Sequence, residues 1–252
     1  MTADAPVIVE VRDLVKRYPG AVEPALKGLN LTIRRGEFYG LLGPNGAGKT
    51  TFIGLLCGLL APDAGEVCLR GRNVFRHPSA IRGQLGLVPQ NIALYPSLSA
   101  RENLHFFGSL LGLAGPELSR RAEDWLGRVG LTHQADRRIS QYSGGMKRRA
   151  NLVAGLLHEP ALLVLDEPTV GIDPQSRLLI HENLKRLNQE GVTILCTTHY
   201  LNEAEQLCTR LAVLDSGTLV VEGSPAGLVA AHEGCATLED VFIRMTGRGM
   251  RD

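Results

Sequence analysis

The sequence predicts an α/β protein built on a mainly parallel β-sheet. Short apolar runs alternate with segments of helical periodicity along most of the 252 residues. Several of these runs are apolar without interruption, as in strands that are buried on both faces of a sheet. A strand, a glycine-rich loop and a helix also follow one another at residues 38–60, which is the opening of a βα unit.

Each element follows from its local pattern. The run 38–42 is a strand that stops at Gly43, and the next helix is predicted from residue 48 to 60, ended by Pro62. Runs 161–165 and 192–197 are further buried strands, and residues 211–221 form a hairpin. Strands are also predicted at 7–14, 29–33, 66–70 and 84–88, and helices at 146–158 and 176–190, with a weakly helical tail from residue 226.

Residues 91–141 interrupt the alternation of strands and helices. Segments 102–113 and 117–129 have helical spacing, and strand-like runs are missing from this stretch. A chain of 252 residues is large for one hydrophobic core and small for two. We therefore predict one domain with a helical insertion.

Composition excludes several classes of protein. A hydrophobic fraction of 44% and a charged fraction of 21% are typical of a folded chain, and a net charge of +1 gives no overall attraction to nucleic acid. The five cysteines form no Cys-x-x-Cys pair, so we expect reduced thiols in the cytosol. The first residues lack a secretion signal, and no apolar run approaches the ~20 residues that span a bilayer. We expect contact with a membrane only through a partner.

A glycine-rich loop carries the first chemical motif. Gly43-x-x-x-x-Gly48-Lys49-Thr50 matches the phosphate-binding pattern, because its glycines let N–H groups point at phosphate oxygens. Lys49 would add a charge at the β- and γ-phosphates, and Thr50 would offer a hydroxyl to Mg²⁺. The predicted nucleotide-binding residues of this loop are Gly43, Pro44, Asn45, Gly46, Ala47, Gly48, Lys49, Thr50 and Thr51.

Two carboxylates follow the buried strand 161–165. The carboxyl ends of parallel strands converge on the ligand, so Asp166 is placed to hold Mg²⁺ and Glu167 to accept a proton from an attacking water. A carboxylate at a buried strand end is costly unless a cation or hydrogen bonds compensate. The alternative is an acidic residue at the start of a helix.

Ser143-Gly144-Gly145 precede a predicted helix and form a second candidate anion site. Because the chain has one phosphate loop, this site suggests a head-to-tail dimer in which Ser143 of one chain touches ATP bound to the other. The alternative is a plain capped helix, and these residues by themselves favour neither.

In their order along the chain, these motifs resemble the nucleotide-binding domain of ABC transporters. The resemblance extends from about residue 7 to 222 and adds Tyr18, Gln90, a Gly171-Ile172-Asp173 loop and His199. It implies a P-loop NTPase core at residues 1–90 and 146–225 that includes an N-terminal antiparallel β subdomain. A helical signature subdomain would occupy residues 91–145, and a helical tail residues 226–252.

The resemblance also implies roles for single residues, with ATP and Mg²⁺ as the bound groups. Tyr18 would stack on adenine, Gln90 would relay the nucleotide state to the helical insertion, and His199 would bond the γ-phosphate. The catalytic set is then Glu167, His199 and Lys49, and the metal set is Thr50, Gln90 and Asp166. Ser143, Gly144, Gly145 and Asp173 would contact the nucleotide of a partner chain.

The signature departs from the family's usual Leu-Ser-Gly-Gly-Gln at both ends, with Tyr142 and Met146. With Lys147-Arg148-Arg149 after it, the segment is similar to exporters of drugs, polysaccharides and lipids whose ATPase is a separate chain. This implies a second ATP-binding subunit as partner, with a homodimer expected, and a separate membrane-spanning permease. The chain would lie at the cytoplasmic face of the inner membrane and bind no nucleic acid. We accordingly expect residues 147–149 to form a solvated basic face.

Alternatives remain open on two points. Apolar residues of the insertion could form either a groove for a helix of the permease or the insertion's own core; they are Leu94, Tyr95, Leu98, Phe106 and Phe107. A soluble ABC mechanoenzyme is disfavoured because the chain has one nucleotide domain and no long coiled coil. An ATP sensor without hydrolysis is disfavoured because Glu167 and His199 are both present.

Overall fold

The computed structural model describes residues 5–247. The expectation that the chain lacks a secretion signal concerns mainly residues 1–4, and the predicted tail ends within residues 248–252. Both segments lie outside the described residues. No helix between residues 5 and 247 has the length and apolar character needed to cross a bilayer.

Two sheets and a set of helices make up the described chain. The strands are β1 Val7–Lys16, β2 Leu26–Arg34, β3 Phe38–Leu42, β4 Ala64–Leu69, β5 Arg72–Asn73, β6 Leu85–Val88, β7 Leu162–Asp166, β8 Thr193–Thr198, β9 Arg210–Asp215 and β10 Thr218–Gly223. The helices are α1 Lys49–Leu56, α2 Pro78–Arg82, α3 Ala100–Leu110, α4 Gly115–Arg128, α5 Gly144–Leu156, α6 Pro174–Gln189, α7 Leu201–Leu207, α8 Pro225–Ala231 and α9 Leu238–Thr246.

The sheet topology confirms the predicted fold class. The larger sheet has the order β10-β9-β3-β8-β7-β6, and all neighbours are parallel except β9 and β10. A separate sheet of order β2-β1-β4-β5 is antiparallel throughout. Strands β3, β7 and β8 lie side by side, so their carboxyl ends meet at one edge of the larger sheet.

Strand β7 shows why uninterrupted apolar runs predicted a parallel sheet. All five of its residues are buried. Leu162 and Val164 belong to the core that includes α1 and the antiparallel sheet, whereas Leu163 and Leu165 belong to the core that includes α5 and α6. Because side chains alternate along a strand, β7 contributes residues to two cores. The strand ends at Asp166, and Glu167 follows directly.

Helix α1 ends four residues earlier than the sequence predicted. Gly58 takes a left-handed φ of 69°, and the N–H groups of Leu59 and Leu60 return to the carbonyl of Gly54. A glycine after the last turn satisfies the final carbonyls and stops a helix. Pro62, the predicted stop, lies beyond this turn.

Apolar side chains between residues 94 and 157 form a separate hydrophobic core. Its first helix, α3, begins with a capping box in which Ser99 and Glu102 exchange hydrogen bonds with each other's backbone. Helix α5 belongs to two cores, because Val153 packs with α3 and α4 while Leu152 packs with β7 and α6. The domain boundaries at residues 90 and 145 stay predictions.

The last two helices pack on the larger sheet. Phe242 of α9 and Leu228 of α8 share a buried cluster with Leu42 of β3 and Leu201 of α7. Short helices α2 and α7 were not predicted, since five and seven residues are too few to show a helical period.

Candidate active site

A cleft of about 610 Å³ opens at the carboxyl ends of β3, β7 and β8. Ten predicted site residues line it: Tyr18, Asn45, Gly46, Gly48, Lys49, Thr50, Thr51, Gln90, Glu167 and His199. Three residues that sequence reasoning missed line it as well, namely Ala25, Val170 and Tyr200. The motifs at residues 43–51, 90, 167 and 199 thus face one cavity although they are far apart in the sequence.

The loop between β3 and α1 depends on its glycines. Gly46 and Gly48 have φ angles of 82° and 110°, which other residues rarely adopt. A side chain on Gly48 would also lie 2.6 Å from the carbonyl of Ala25. Helix α1 begins directly after Gly48, so its first N–H groups and its positive end face the cleft.

Lys49 is a buried cation held by its own loop. Its Nζ donates to the carbonyl oxygens of Gly43, at 2.7 Å, and Pro44, at 3.2 Å, and lies 3.6 Å from Glu167 Oε1. Burial lowers the pKa of Lys49, and the nearby charge of Glu167 opposes that shift. Gly43 and Pro44 therefore serve the site through their carbonyls, while buried Ala47 accepts a hydrogen bond from the N–H of Gly217.

Asp166 lies behind the loop at the end of β7. Thr197 donates to one of its carboxylate oxygens at 2.7 Å, and Thr50 donates to the other at 3.4 Å. The buried charge therefore has polar partners on both oxygens. Thr197 was missed by the sequence reasoning; its position two residues before His199 was the available signal.

Three polar side chains of the cleft lie close to the carboxylate of Glu167. Lys49, Gln90 and His199 surround its carboxylate, with Gln90 Nε2 at 3.5 Å and His199 Nδ1 at 3.3 Å from Oε2. Its backbone has a φ of 47°, an unfavourable value for a residue with a side chain, and its N–H is held by the hydroxyl and carbonyl of Thr197. Strained backbone of this kind clusters at functional sites.

Tyr18 lies at the rim. The residue is 40% exposed, and its hydroxyl is 3.2 Å from the Thr51 hydroxyl. An exposed aromatic face beside a phosphate loop can stack on a base.

Ser143, Gly144, Gly145 and Asp173 lie outside this cleft. Ser143 caps α5 by accepting from the N–H of Met146, and Asp173 caps α6 by accepting from the N–H of Ser176. The two helix starts are close, since a side chain on Gly145 would meet Ser176 Oγ at 2.0 Å and Asp173 Oδ2 at 3.8 Å. Ser143, Gly144 and Asp173 are exposed.

The two departures in the signature are explained by packing. Tyr142 is buried in the core of residues 94–157, and its hydroxyl donates to the carbonyl of Gln134 at 2.6 Å. Met146 packs against the same core. Both side chains anchor the start of α5 to the helical insertion.

The expectation of a solvated basic face at residues 147–149 was wrong for two of the three residues. Arg148 is half-buried and donates to the carbonyls of Gln90 and Val170, and Arg149 donates to the carbonyl of Val129 at 2.6 Å. These guanidinium groups are held by hydrogen bonds to the protein's own backbone.

Comparisons with known proteins give one family. Residues 26–170 match the model of the ABC transporter family. The linearmycin resistance ATP-binding protein LnrL of Bacillus subtilis is 44% identical over 97% of this chain and 76% of its own length. The Nod factor export ATP-binding protein I of Paraburkholderia xenovorans is 44% identical over 90% of this chain and 74% of its own.

Solved structures give the same answer. An ATP-binding subunit of an ABC transporter is similar with a TM-score of 0.85 and 29% identity, over 94% of this chain and 99% of that one. A dimeric ATP-binding cassette in a post-hydrolysis state, bound to ADP and Pi, is similar with a TM-score of 0.78 and 29% identity, over 86% and 98%. The cleft, its phosphate loop and these likenesses together place the chain in the ABC transporter family, as a subunit that binds and hydrolyses ATP.

Proposed function

We propose that this chain drives export through a membrane permease, by hydrolysing MgATP at a site that two chains complete in head-to-tail contact. The observation that carries the proposal is the separation of two half-sites. Lys49 and Glu167 line the cleft, whereas Ser143 and Asp173 lie at exposed helix starts outside it. The γ-phosphate of ATP held at Lys49 would then meet Ser143 of a second chain. The dimeric relative bound to ADP and Pi supports this arrangement, and a second copy of this chain is the simplest partner.

The donor atoms beside the phosphate loop fit a magnesium ion. The Thr50 hydroxyl and the Asp166 carboxylate are 3.4 Å apart, and Gln90 lines the same cleft as Thr50. Oxygen atoms are the ligands that Mg²⁺ prefers. Residues 5–247 contain no cluster of three or more His, Cys, Asp or Glu side chains that could hold a metal. This fits an ion that is shared with the nucleotide's phosphates. When bound, Mg²⁺ would neutralise charge on those phosphates.

Glu167 is the proposed general base. Glu167 is 8% exposed, and Lys49, Gln90 and His199 surround its carboxylate, so the carboxylate is held in a defined position in the cleft. From there it would accept the proton of a water that attacks the γ-phosphate. Lys49 and His199 would hold that phosphate, and Tyr18 would stack on the adenine.

A second surface supports docking on a permease. An apolar groove of about 400 Å³ lies between α2 and the helical insertion, and its lining includes Leu59, Ile81, Phe107 and Leu110. Leu59 and Leu110 are each more than 60% exposed and line the same apolar groove, and a contiguous exposed apolar surface is typical of an interaction site. Of the apolar residues considered in the sequence, Phe107 lines the groove and also packs against the core of the insertion, to which Leu94 belongs. The name of the Nod factor relative specifies export, and this supports export by the present chain. Docking on a permease would place the chain at the cytoplasmic face of the membrane.

Replacement of the base tests the proposed site. Glu167→Gln keeps the shape of the side chain but cannot take a proton, so ATP hydrolysis should fall about 100-fold or more while ATP binding is retained. Bound ATP should then hold two chains together, which size-exclusion chromatography with MgATP would detect. Lys49→Ala is the control, because it should lose binding and dimer together. Unchanged turnover in Glu167→Gln would contradict the assignment.

A further inference from the structure

Glu203 is a buried carboxylate with four side-chain partners. It lies on α7, is 5% exposed, and both of its oxygens are 2.8 Å from the hydroxyl of Thr169. The Thr198 hydroxyl donates to Oε2 at 3.3 Å, and His181 Nε2 and Arg177 Nε lie 3.4 and 3.7 Å from Oε1. Glu203 does not line the ATP cleft.

These contacts compensate the cost of burying the charge. A carboxylate removed from water is expensive unless hydrogen bonds and opposite charge replace its hydration. Burial raises the pKa of Glu203, but His181, Thr169 and the charge of Arg177 outweigh it, so the pKa lies below its usual value. The group is an ionised carboxylate with partners on one loop, one strand end and one helix.

The partners of Glu203 adjoin the proposed catalytic residues. Thr169 follows Glu167 by two residues, and Thr198 directly precedes His199. One carboxylate thus joins the loop after β7 to the last residue of β8. That loop carries the general base, and the residue directly after β8 is the histidine that lies 3.3 Å from it.

Helix α6 and Tyr200 are part of the same arrangement. The Thr198 hydroxyl accepts from the N–H of Tyr200 at 3.0 Å, and the rings of Tyr200 and His199 are 4.1 Å apart. Arg177 lies over the Tyr200 ring at 5.1 Å from its centroid, and α6, which carries Arg177, begins at the Asp173 cap. The contacts of Glu203 and Arg177 therefore connect the ATP cleft with the helix that begins at Asp173, which belongs to the other half of the proposed shared site.

We propose that Glu203 is a positioning residue for ATP hydrolysis, which fixes the loop of Thr169 against the end of β8 at Thr198 so that Glu167 and His199 keep their relative placement. The inference rests on the proposed roles of Glu167 and His199. Positioning acts on the rate of the chemical step, because a displacement of about 1 Å at a catalytic group can cost on the order of 100-fold. ATP binding depends on the phosphate loop, which Glu203 does not touch.

Glu203→Gln tests the proposal against a matched buried carboxylate. Glu37 is 2% exposed, accepts from the backbone N–H of Arg34 at 2.7 Å and from Arg210 at 3.0 Å, and lies at the amino end of β3, away from the cleft. ATPase kinetics are measured for both variants in the full chain, well below their melting temperatures. Glu203→Gln should lower kcat about 10- to 100-fold with KM for ATP within about twofold, while Glu37→Gln keeps kcat. The ring resonances of His199, assigned with His199→Ala, should shift in Glu203→Gln only.

Two outcomes would overturn the inference: wild-type kcat in a folded Glu203→Gln, or an equal loss of kcat in Glu37→Gln. If Glu203→Gln fails to fold, Thr169→Val takes its place, since it removes one hydroxyl and keeps the volume. It should lower kcat in the same way, and wild-type kcat there would also overturn the inference. Active wild-type protein with inactive Glu167→Gln secures the base independently, so failure at Glu203 is distinguishable from failure of the proposed function.

Discussion

Arg148 ties three segments of the chain together at the residue scale. From the second turn of α5 it donates to the carbonyl of Gln90 and, at 3.2 Å, to the carbonyl of Val170. Gln90 and Val170 both line the ATP cleft, and α5 begins at the exposed Ser143. A half-buried guanidinium thus holds the cleft and the start of α5 in a fixed relation.

Arg148→Ala should destabilise the protein, because it leaves two carbonyl oxygens without their donors. Hydrogen bonds of a charged group contribute about 1–3 kcal/mol to the free energy of unfolding, and the melting temperature should fall by roughly 2–10 °C. Lys147→Ala is the neighbouring control and should stay within about 0.5 kcal/mol. Differential scanning calorimetry of both variants decides; equal melting temperatures would refute the structural role of Arg148.

At the scale of secondary-structure elements, strand β6 and helix α5 approach each other closely. A side chain on Gly86 of β6 would lie 2.0 Å from the carbonyl oxygen of Gly155 and 2.8 Å from Pro160 Cγ. A side chain on Gly155 of α5 would in turn lie 2.7 Å from Val88 Cγ2. Two glycines therefore let a helix backbone rest directly on the edge strand of the parallel sheet.

Gly86→Ala should separate this strand and helix. Overpacking against a backbone atom costs about 2–3 kcal/mol, so the melting temperature should fall by roughly 5–10 °C. Gly83→Ala is the matched control: Gly83 has a helical φ of −77°, and a side chain there meets nothing within 4 Å. Thermal unfolding followed by circular dichroism compares them. A Gly86→Ala variant as stable as Gly83→Ala would show that the contact is loose.

Sequence patterns predicted elements well where the pattern is long or chemically marked. Strands β3, β7 and β8 followed from uninterrupted apolar runs, and α3 and α4 from their helical spacing. The predicted end of α1 was wrong because the helix stops at the left-handed backbone angle of Gly58, whereas the prediction rested on Pro62. The contacts of Arg148 and Glu203 inside the protein were missed because their partners lie 5 to 58 residues away in the chain.

The C-terminal helices are integrated into the whole molecule. Phe242 of α9 is fully buried beside Leu42, the last residue of the strand that leads into the phosphate loop. The N–H of Leu238 also donates to Glu205 of α7 at 3.0 Å. The tail therefore shares a core with the larger sheet and should unfold together with it.

Phe242→Ala should lower the stability of the whole chain by about 3–5 kcal/mol, because it leaves a large cavity in that shared core. Calorimetry should show one transition, lower by roughly 10 °C or more. Ile243→Ala, at a neighbouring site that is 43% exposed, should change little. A separate minor transition that alone responds to Phe242→Ala would show that the tail folds independently.

The arrangement of the site over the whole molecule could be predicted only in part. Ordered motifs predicted which residues would line the cleft, because strand ends in a parallel sheet converge. They did not predict Thr197 or Tyr200, since a threonine or tyrosine near a strand end is common and its direction depends on packing. The contact of the Gly145 turn with the start of α6 was likewise hidden, because it joins segments about 30 residues apart.

The placement of Lys49 in the cleft and of Ser143 outside it has a genetic consequence. On the proposed arrangement, each composite site takes one half from each copy of the protein. A copy defective at Lys49 and a copy defective at Ser143 would each be inactive alone. When both are made in one cell, half of the random pairings join unlike copies, and in these one site carries both defects and the other carries none. Two alleles of the same gene, each null by itself, should therefore complement one another.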